Sequence, residues 1–222
     1  MTYDINEIFN YTMSFQLNAD EGFTEDDVDD FISSIDFTKV PEFDYEAGAT
    51  KLVIIPYTRD YVIKIPFSGR YSCGEYIPFS MAEDNDWGDN YCEAERLLYE
   101  EAKEKGYAQF FLPLELINDI RYYPIYIQER ADNIVCYMDD EDTKIYSSEN
   151  SKEIIRSNKN FHCSLANYWT ASCLTSLNED SDKMYHFIEF LRTTGIMNDL
   201  HRGNLGFKNN KPVIIDYGGY HE

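Results

Sequence analysis

Hydrophobic and polar residues alternate along this chain in two rhythms. In residues 1–46, Ile5, Ile8, Phe9 and Phe15 are interleaved with acids, and Phe31, Ile32 and Ile35 follow at helical spacing. Thr24-Glu25-Asp26-Asp27 predicts a helix start, with a hydroxyl to cap and carboxylates beside the positive end of the dipole. From Gly48 the texture becomes β-branched. Lys51–Pro56 and Tyr61–Pro66 predict two strands joined as a hairpin by Tyr57-Thr58-Arg59-Asp60. Residues 68–90 hold several Gly, Ser, Asp and Asn and read as loop. Ala94, Leu97, Leu98 and Ala102 then form an apolar stripe that predicts a helix over 89–105, stopped by Gly106. Phe110–Ile117 and Tyr122–Gln128 predict two more strands around Asn118-Asp119. The order strand, strand, helix, strand, strand describes a small antiparallel sheet with one helix packed on it.

After Arg130 the pattern turns helical. Phe161–Leu177 and Met184–Leu191 read as helices, the second with Tyr185, Ile188 and Leu191 at periodic positions, while 139–142 and 147–152 read as exposed loop. Asn198–Gly206 is irregular and precedes a last hairpin, Leu205–Phe207 and Pro212–Ile215, around Asn209-Asn210. No internal repeat or low-complexity tract is visible. The expected fold class is α+β, with an acidic N-terminal helical extension over 1–46, a sheet-bearing domain over 47–130 and a mainly helical domain over 131–222.

Composition changes this picture in one respect. The 222 residues, with 19 Tyr and 14 Phe, supply a core and exclude a disordered chain. The net charge is −22, which excludes a grip on nucleic acid by phosphate neutralisation and docking on an anionic membrane. Thirteen acids and a single base, Lys39, fall in residues 1–46. The ordinary reading is the solvated face of a helical layer; a surface that mimics a polyanion is the alternative. No apolar stretch approaches the roughly 18 residues that span a bilayer. Met1–Ile5 opens polar, without a signal-peptide pattern. The five cysteines are scattered without C-x-x-C spacing, so the expectation is reduced thiols in a cytoplasmic protein.

The informative stretch is Asp199-Leu200-His201-Arg202-Gly203-Asn204, followed by Pro212-Val-Ile-Ile-Asp216-Tyr217-Gly218-Gly219. Here the chain resembles the protein-kinase-like superfamily, including its small-molecule and atypical branches, whose catalytic loops read D-L-H-x-G-N. Val62-Ile63-Lys64 is similar to the V-A-I-K strand of that superfamily. Glu95 shares a helix face with Leu98, Tyr99 and Ala102 and suits a partner of Lys64. The resemblance implies a two-lobed fold in which Lys64 meets the phosphates of ATP and Glu95 holds Lys64. It further implies Asp199 as the base or orienter of the attacking hydroxyl, with Asn204 and Asp216 on Mg²⁺. Gln128 and Glu129 fall where a hinge would present free backbone to adenine.

Departures from the family pattern are specific. In place of G-x-G-x-x-G the chain offers Gly48-Ala49-Thr50-Lys51, a short turn from which Gly48 and Thr50 would meet the nucleotide, with Thr50 or Lys51 helping. Met197 and Asn198 replace the His and Arg of H-R-D, and Tyr217 replaces the Phe of D-F-G. Only six residues follow Asp216, leaving no activation segment in this sequence. His201 and His221 read as structural. No P-loop, H-E-x-x-H or G-x-S-x-G motif occurs. The expected function is an ATP- and Mg²⁺-dependent transfer to a small molecule or a partner's hydroxyl, with phosphoryl and nucleotidyl transfer both open. The alternative is a degenerate kinase fold that serves as an acidic module binding a basic protein partner, of a size and charge that suit a phage.

Overall fold

The structure is a computed structural model that describes residues 2–12, 23–78, 91–117, 124–134 and 181–218. The loops at 139–142 and 147–152, the helix over 161–177 and the turn at Asn118-Asp119 lie outside the described residues. The chain is α+β and divides into two compact units. One is drawn from Met1–Leu97 and Pro113–Arg130, the other from Leu98–Leu112 and Ala131–Tyr220. Among the described residues no helix is long and apolar enough to cross a membrane.

The first unit is built on a five-stranded antiparallel sheet. Its strands are β1 (Phe43–Ala47), β2 (Lys51–Pro56), β3 (Tyr61–Pro66), β6 (Leu114–Ile117) and β7 (Ile125–Glu129), in the order β1-β2-β3-β7-β6. A separate hairpin, β4 (Gly69–Ser72) and β5 (Glu75–Pro78), follows β3. Strand alternation sorts the side chains. Leu52 faces Ile65 and Ile54 faces Ile63, which in turn faces Ile127. These residues enter one core with α1 (Ile5–Thr12) and α2 (Val28–Ser34), through Ile8, Tyr11, Val28, Phe31 and Ile32. The opposite face carries Lys51, Val53, Lys64, Tyr126 and Leu116 by the same register. There Leu114 and Tyr126 pack with Cys92 at the start of α3 (Tyr91–Glu104). The sheet is therefore covered on both sides, and any polar side chain on the α3 side has to be satisfied by protein.

The N-terminal residues expected as an extension are an integral layer of this unit. Thr24 starts the predicted helix, its N–H and hydroxyl both donating to Asp27 Oδ2 at 2.8 Å. A guanidinium clasp ties α1 to the sheet, with Arg59 Nε donating to Glu7 Oε1 at 2.9 Å and Tyr61 Oη to the same oxygen at 2.8 Å. Two elements were not expected. β1 crosses the anticipated boundary at residue 46, and the β4–β5 hairpin occupies sequence read as loop, turning on Cys73 (φ 54) and Gly74 (φ 84).

In the second unit α3 ends at Gly106, whose φ of 80 is the left-handed conformation of a helix stop. The Tyr107 N–H returns to the Ala102 carbonyl at 2.7 Å. α4 (Ser181–Thr193) lays Phe187, Phe190 and Leu191 on Phe110, Phe111, Leu205 and Ile214. β8 (Asn133–Ile134), β9 (Leu205–Lys208) and β10 (Lys211–Ile214) form a small antiparallel sheet. The β9–β10 turn uses Asn209 (φ 51) and Asn210 (φ 59), both in the region that short hairpin turns require and that asparagine tolerates. Gly206 is demanded by contact, because a Cβ there would lie 2.6 Å from the Asn133 carbonyl oxygen.

Candidate functional site

In the first unit the site is a carboxylate held by two lysines. β3 places Lys64 on the α3 side of the sheet, opposite Val53 of β2 and Tyr126 of β7. Lys51 lies two positions along β2 from Val53, so it is a diagonal, same-face neighbour of Lys64. Glu95, on α3, meets both. Its Oε2 accepts from Lys64 Nζ at 2.6 Å, and its Oε1 accepts from Lys51 Nζ. Glu95 is fully buried and Lys51 and Lys64 are 4% and 3% exposed, so this cluster lies out of bulk water. Two residues earlier Glu93 takes Arg96 through both carboxylate oxygens and the Tyr126 hydroxyl at 3.0 Å. Arg96 holds the Glu93 carboxyl below its usual range, against the opposing effect of burial, with Tyr126 assisting.

In the second unit the D-L-H-x-G-N stretch forms a knot of short-range hydrogen bonds. Leu200 (φ −74, ψ 77) makes an inverse γ-turn, closed by the His201 N–H on the Asp199 carbonyl at 2.8 Å. The Asn204 N–H then donates to the His201 carbonyl at 3.0 Å, and the Ile215 N–H to the Asn204 carbonyl at 2.9 Å, which fixes the loop to the end of β10. Within the loop the buried Asn204 amide donates to the Asp199 carbonyl at 2.8 Å and to Asp199 Oδ2 at 3.0 Å. His201 Nδ1 accepts from the Gly203 N–H at 3.1 Å, and its Nε2 lies 3.8 Å from Asp199 Oδ1. The His201 ring thus closes a turn within the loop.

Asp216 lies two residues beyond the end of β10 and is half-buried, and the next residue, Tyr217, is fully buried. The Tyr217 hydroxyl donates to the Leu112 carbonyl at 2.7 Å and its ring meets Phe111 edge-on. A buried phenol needs an acceptor, and the Leu112 carbonyl provides one. The residues assigned to Mg²⁺ offer hard donors of the right type. Asn204 commits its amide hydrogens to Asp199, so its carbonyl oxygen Oδ1 is the atom that could meet a cation, and Asp216 could add a carboxylate.

The other expected site residues fare unequally. Gly48 is exposed in the β1–β2 turn, its N–H donating to the Lys51 carbonyl at 3.0 Å. Thr50 is buried, its carbonyl accepting from the Phe67 N–H at 2.8 Å. Gln128 and Glu129 correct an expectation. They lie inside β7, with Gln128 opposite Val62 on one side and Leu114 on the other, instead of on a free connecting segment. The Glu129 N–H donates to the Pro113 carbonyl at 3.2 Å and the Arg130 N–H to the Asp60 carbonyl at 2.8 Å, so these donors are already engaged within the protein. Lys51 is the site residue that motif spacing under-reads. Its signal was present in β2 alternation, which gives it the same parity as the position opposite Lys64. Comparison with known protein families, with curated proteins and with solved structures finds no match.

Proposed function

We propose that the chain is a phosphotransferase of the protein-kinase-like type, which binds ATP with Mg²⁺ and passes the terminal phosphoryl group to a hydroxyl of a small molecule or partner protein. The observation that carries this reading is the buried Lys64–Glu95 pair. A buried ion pair adds little stability over apolar residues of the same volume, so its retention between a strand and a helix calls for a chemical reason. Delivering a fixed ammonium to a phosphate is such a reason. Support also comes from the Asp199–Asn204 loop, where the Asn204 amide orients the Asp199 carboxylate. In the proposed step Asp199 takes the hydroxyl proton while the acceptor oxygen bonds to the terminal phosphorus and the bond from that phosphorus to ADP breaks. Asn204 and Asp216 would hold Mg²⁺, which when bound would supply charge neutralisation for the phosphates.

Nucleotide-dependent thermal unfolding tests the reading. A ligand at ten times its Kd stabilises a protein by about 1.4 kcal/mol, and for a chain of this size that raises Tm by about 3–6 °C. The expected result is such a rise with Mg·ATP, lost in Asp216→Ala and in Lys64→Met. No rise in the wild-type chain at millimolar Mg·ATP overturns the reading.

A further inference from the structure

We propose that Lys51 is a second phosphate-binding cation, working beside Lys64 in place of the glycine-rich cover that this sequence lacks. The inference rests on the nucleotide reading for the identity of the ligand, but its geometry stands alone. Glu95 has two carboxylate oxygens, and they are divided: Oε2 to Lys64 and Oε1 to Lys51. One ammonium is enough to hold a carboxylate. With two on the same group, each ammonium can keep one N–H on Glu95 and turn another to an arriving anion, so the carboxylate is never left uncompensated. Two ammonium groups on one carboxylate leave the three groups with one positive charge between them, the sign that a polyphosphate requires.

Position assigns the outward role to Lys51. It is the first residue of β2 and follows directly on the β1–β2 turn, where Gly48 and Ala49 are exposed. Lys64 sits in mid-strand, flanked by β2 on one side and β7 on the other. A turn of three residues has few amides with which to cradle phosphates, and a lysine at its end supplies by charge what a longer glycine loop supplies by backbone N–H groups. The ligand class follows: a di- or triphosphate long enough to engage both lysines, in preference to a single phosphate.

Binding of inorganic tripolyphosphate, ATP and AMP to the full chain, followed by calorimetry at fixed Mg²⁺ and ionic strength, tests this. Lys51→Met is expected to weaken tripolyphosphate and ATP by about tenfold or more, the loss of one charge-assisted contact. AMP is expected to be unaffected, and Lys51→Arg to restore most of the loss. Wild-type affinity for ATP and tripolyphosphate in Lys51→Met overturns the proposal while leaving the nucleotide reading intact. Tripolyphosphate binding that depends on Lys51, without any binding of ATP, sustains the anion site and overturns the nucleotide reading. The wild-type chain provides a readout free of any folding defect: the ¹⁵N resonance of the Lys51 ammonium, assigned by its loss in Lys51→Arg, is expected to move on titration with tripolyphosphate. A resonance that stays fixed at saturating anion overturns the proposal.

Discussion

Glu95 is the residue on which the first unit's polar interior depends. With no exposure and an ammonium on each oxygen, it cannot be removed without leaving both lysines short of their shared carboxylate. Breaking a buried pair from one side costs about 3–5 kcal/mol, which is a large part of the 5–15 kcal/mol that holds a typical domain together. Glu95→Ala is therefore expected to lower the urea midpoint sharply, whereas Lys51→Met, which keeps Lys64 on the carboxylate, is expected to lower it by much less. Equal losses in the two variants would show that the carboxylate is not the centre of the cluster. At this scale the sequence was informative wherever chemistry follows local spacing. Lys64 between apolar neighbours, Glu95 beside an apolar stripe, and Asp199 five residues before Asn204 were all legible. Lys51 was legible only as a helper of the β1–β2 turn; its share in Glu95 was not, because a lysine at the start of a strand is ordinarily solvated and only the strand register reveals that it shares a face with Lys64. The Tyr217 hydroxyl was illegible for a similar reason, since its acceptor lies 105 residues away.

Elements were readable in proportion to their apolar content. β2 and β3, with four and three apolar residues before their closing prolines, were found with their ends correct, and α3 and α4 within a few residues. β1 was missed because an edge strand exposes most of its side chains and reads FDYEA, without the apolar alternation of a half-buried strand. The β4–β5 hairpin was missed because its turn is Cys-Gly, outside the usual Asn-Gly and Asp-Gly signals. How the elements are joined leads to a prediction about pH. The clasp between α1 and the β2–β3 hairpin buries the Tyr61 phenol, and burial, followed by the Glu7 carboxylate, raises its pKa well above 10.0. Tyr11 of α1 is raised too, by burial first and then Glu7. In the unfolded chain these phenols ionise near 10.0, while the folded chain keeps its protons, so their contribution is complete below that pH and falls as pH rises beyond it. Unfolding midpoints are expected to drop steeply above about pH 10, and more shallowly in Tyr61→Phe. A slope in the variant equal to that of the wild type would remove Tyr61 from the account.

On the scale of the molecule, the acids of residues 1–46 invite the idea of a detachable charged arm, and the core argues otherwise. Among the described residues, seven of the seventeen in the main buried cluster of the first unit come from this segment: Ile8, Tyr11, Phe23, Val28, Phe31, Ile32 and Ile35. Fully burying such side chains contributes about 1.5–3 kcal/mol each, so the segment supplies roughly 10–20 kcal/mol of gross hydrophobic stabilisation, at least as much as the net stability of a whole domain. Its acids are numerous because the same short helices present their other faces to water, as Asp29 and Asp30 do on α2. A chain beginning at residue 47 is thus expected to lose cooperative thermal unfolding, and to bind hydrophobic dye, instead of yielding a free-standing sheet domain. Replacing Asp29 and Asp30 by Asn is expected to change Tm by no more than a few degrees, since no apolar burial is touched. If the shortened chain melted cooperatively near the wild-type temperature, the segment would be an appendage after all. Any role for the acidic surface in gripping a basic partner would then be separable from folding.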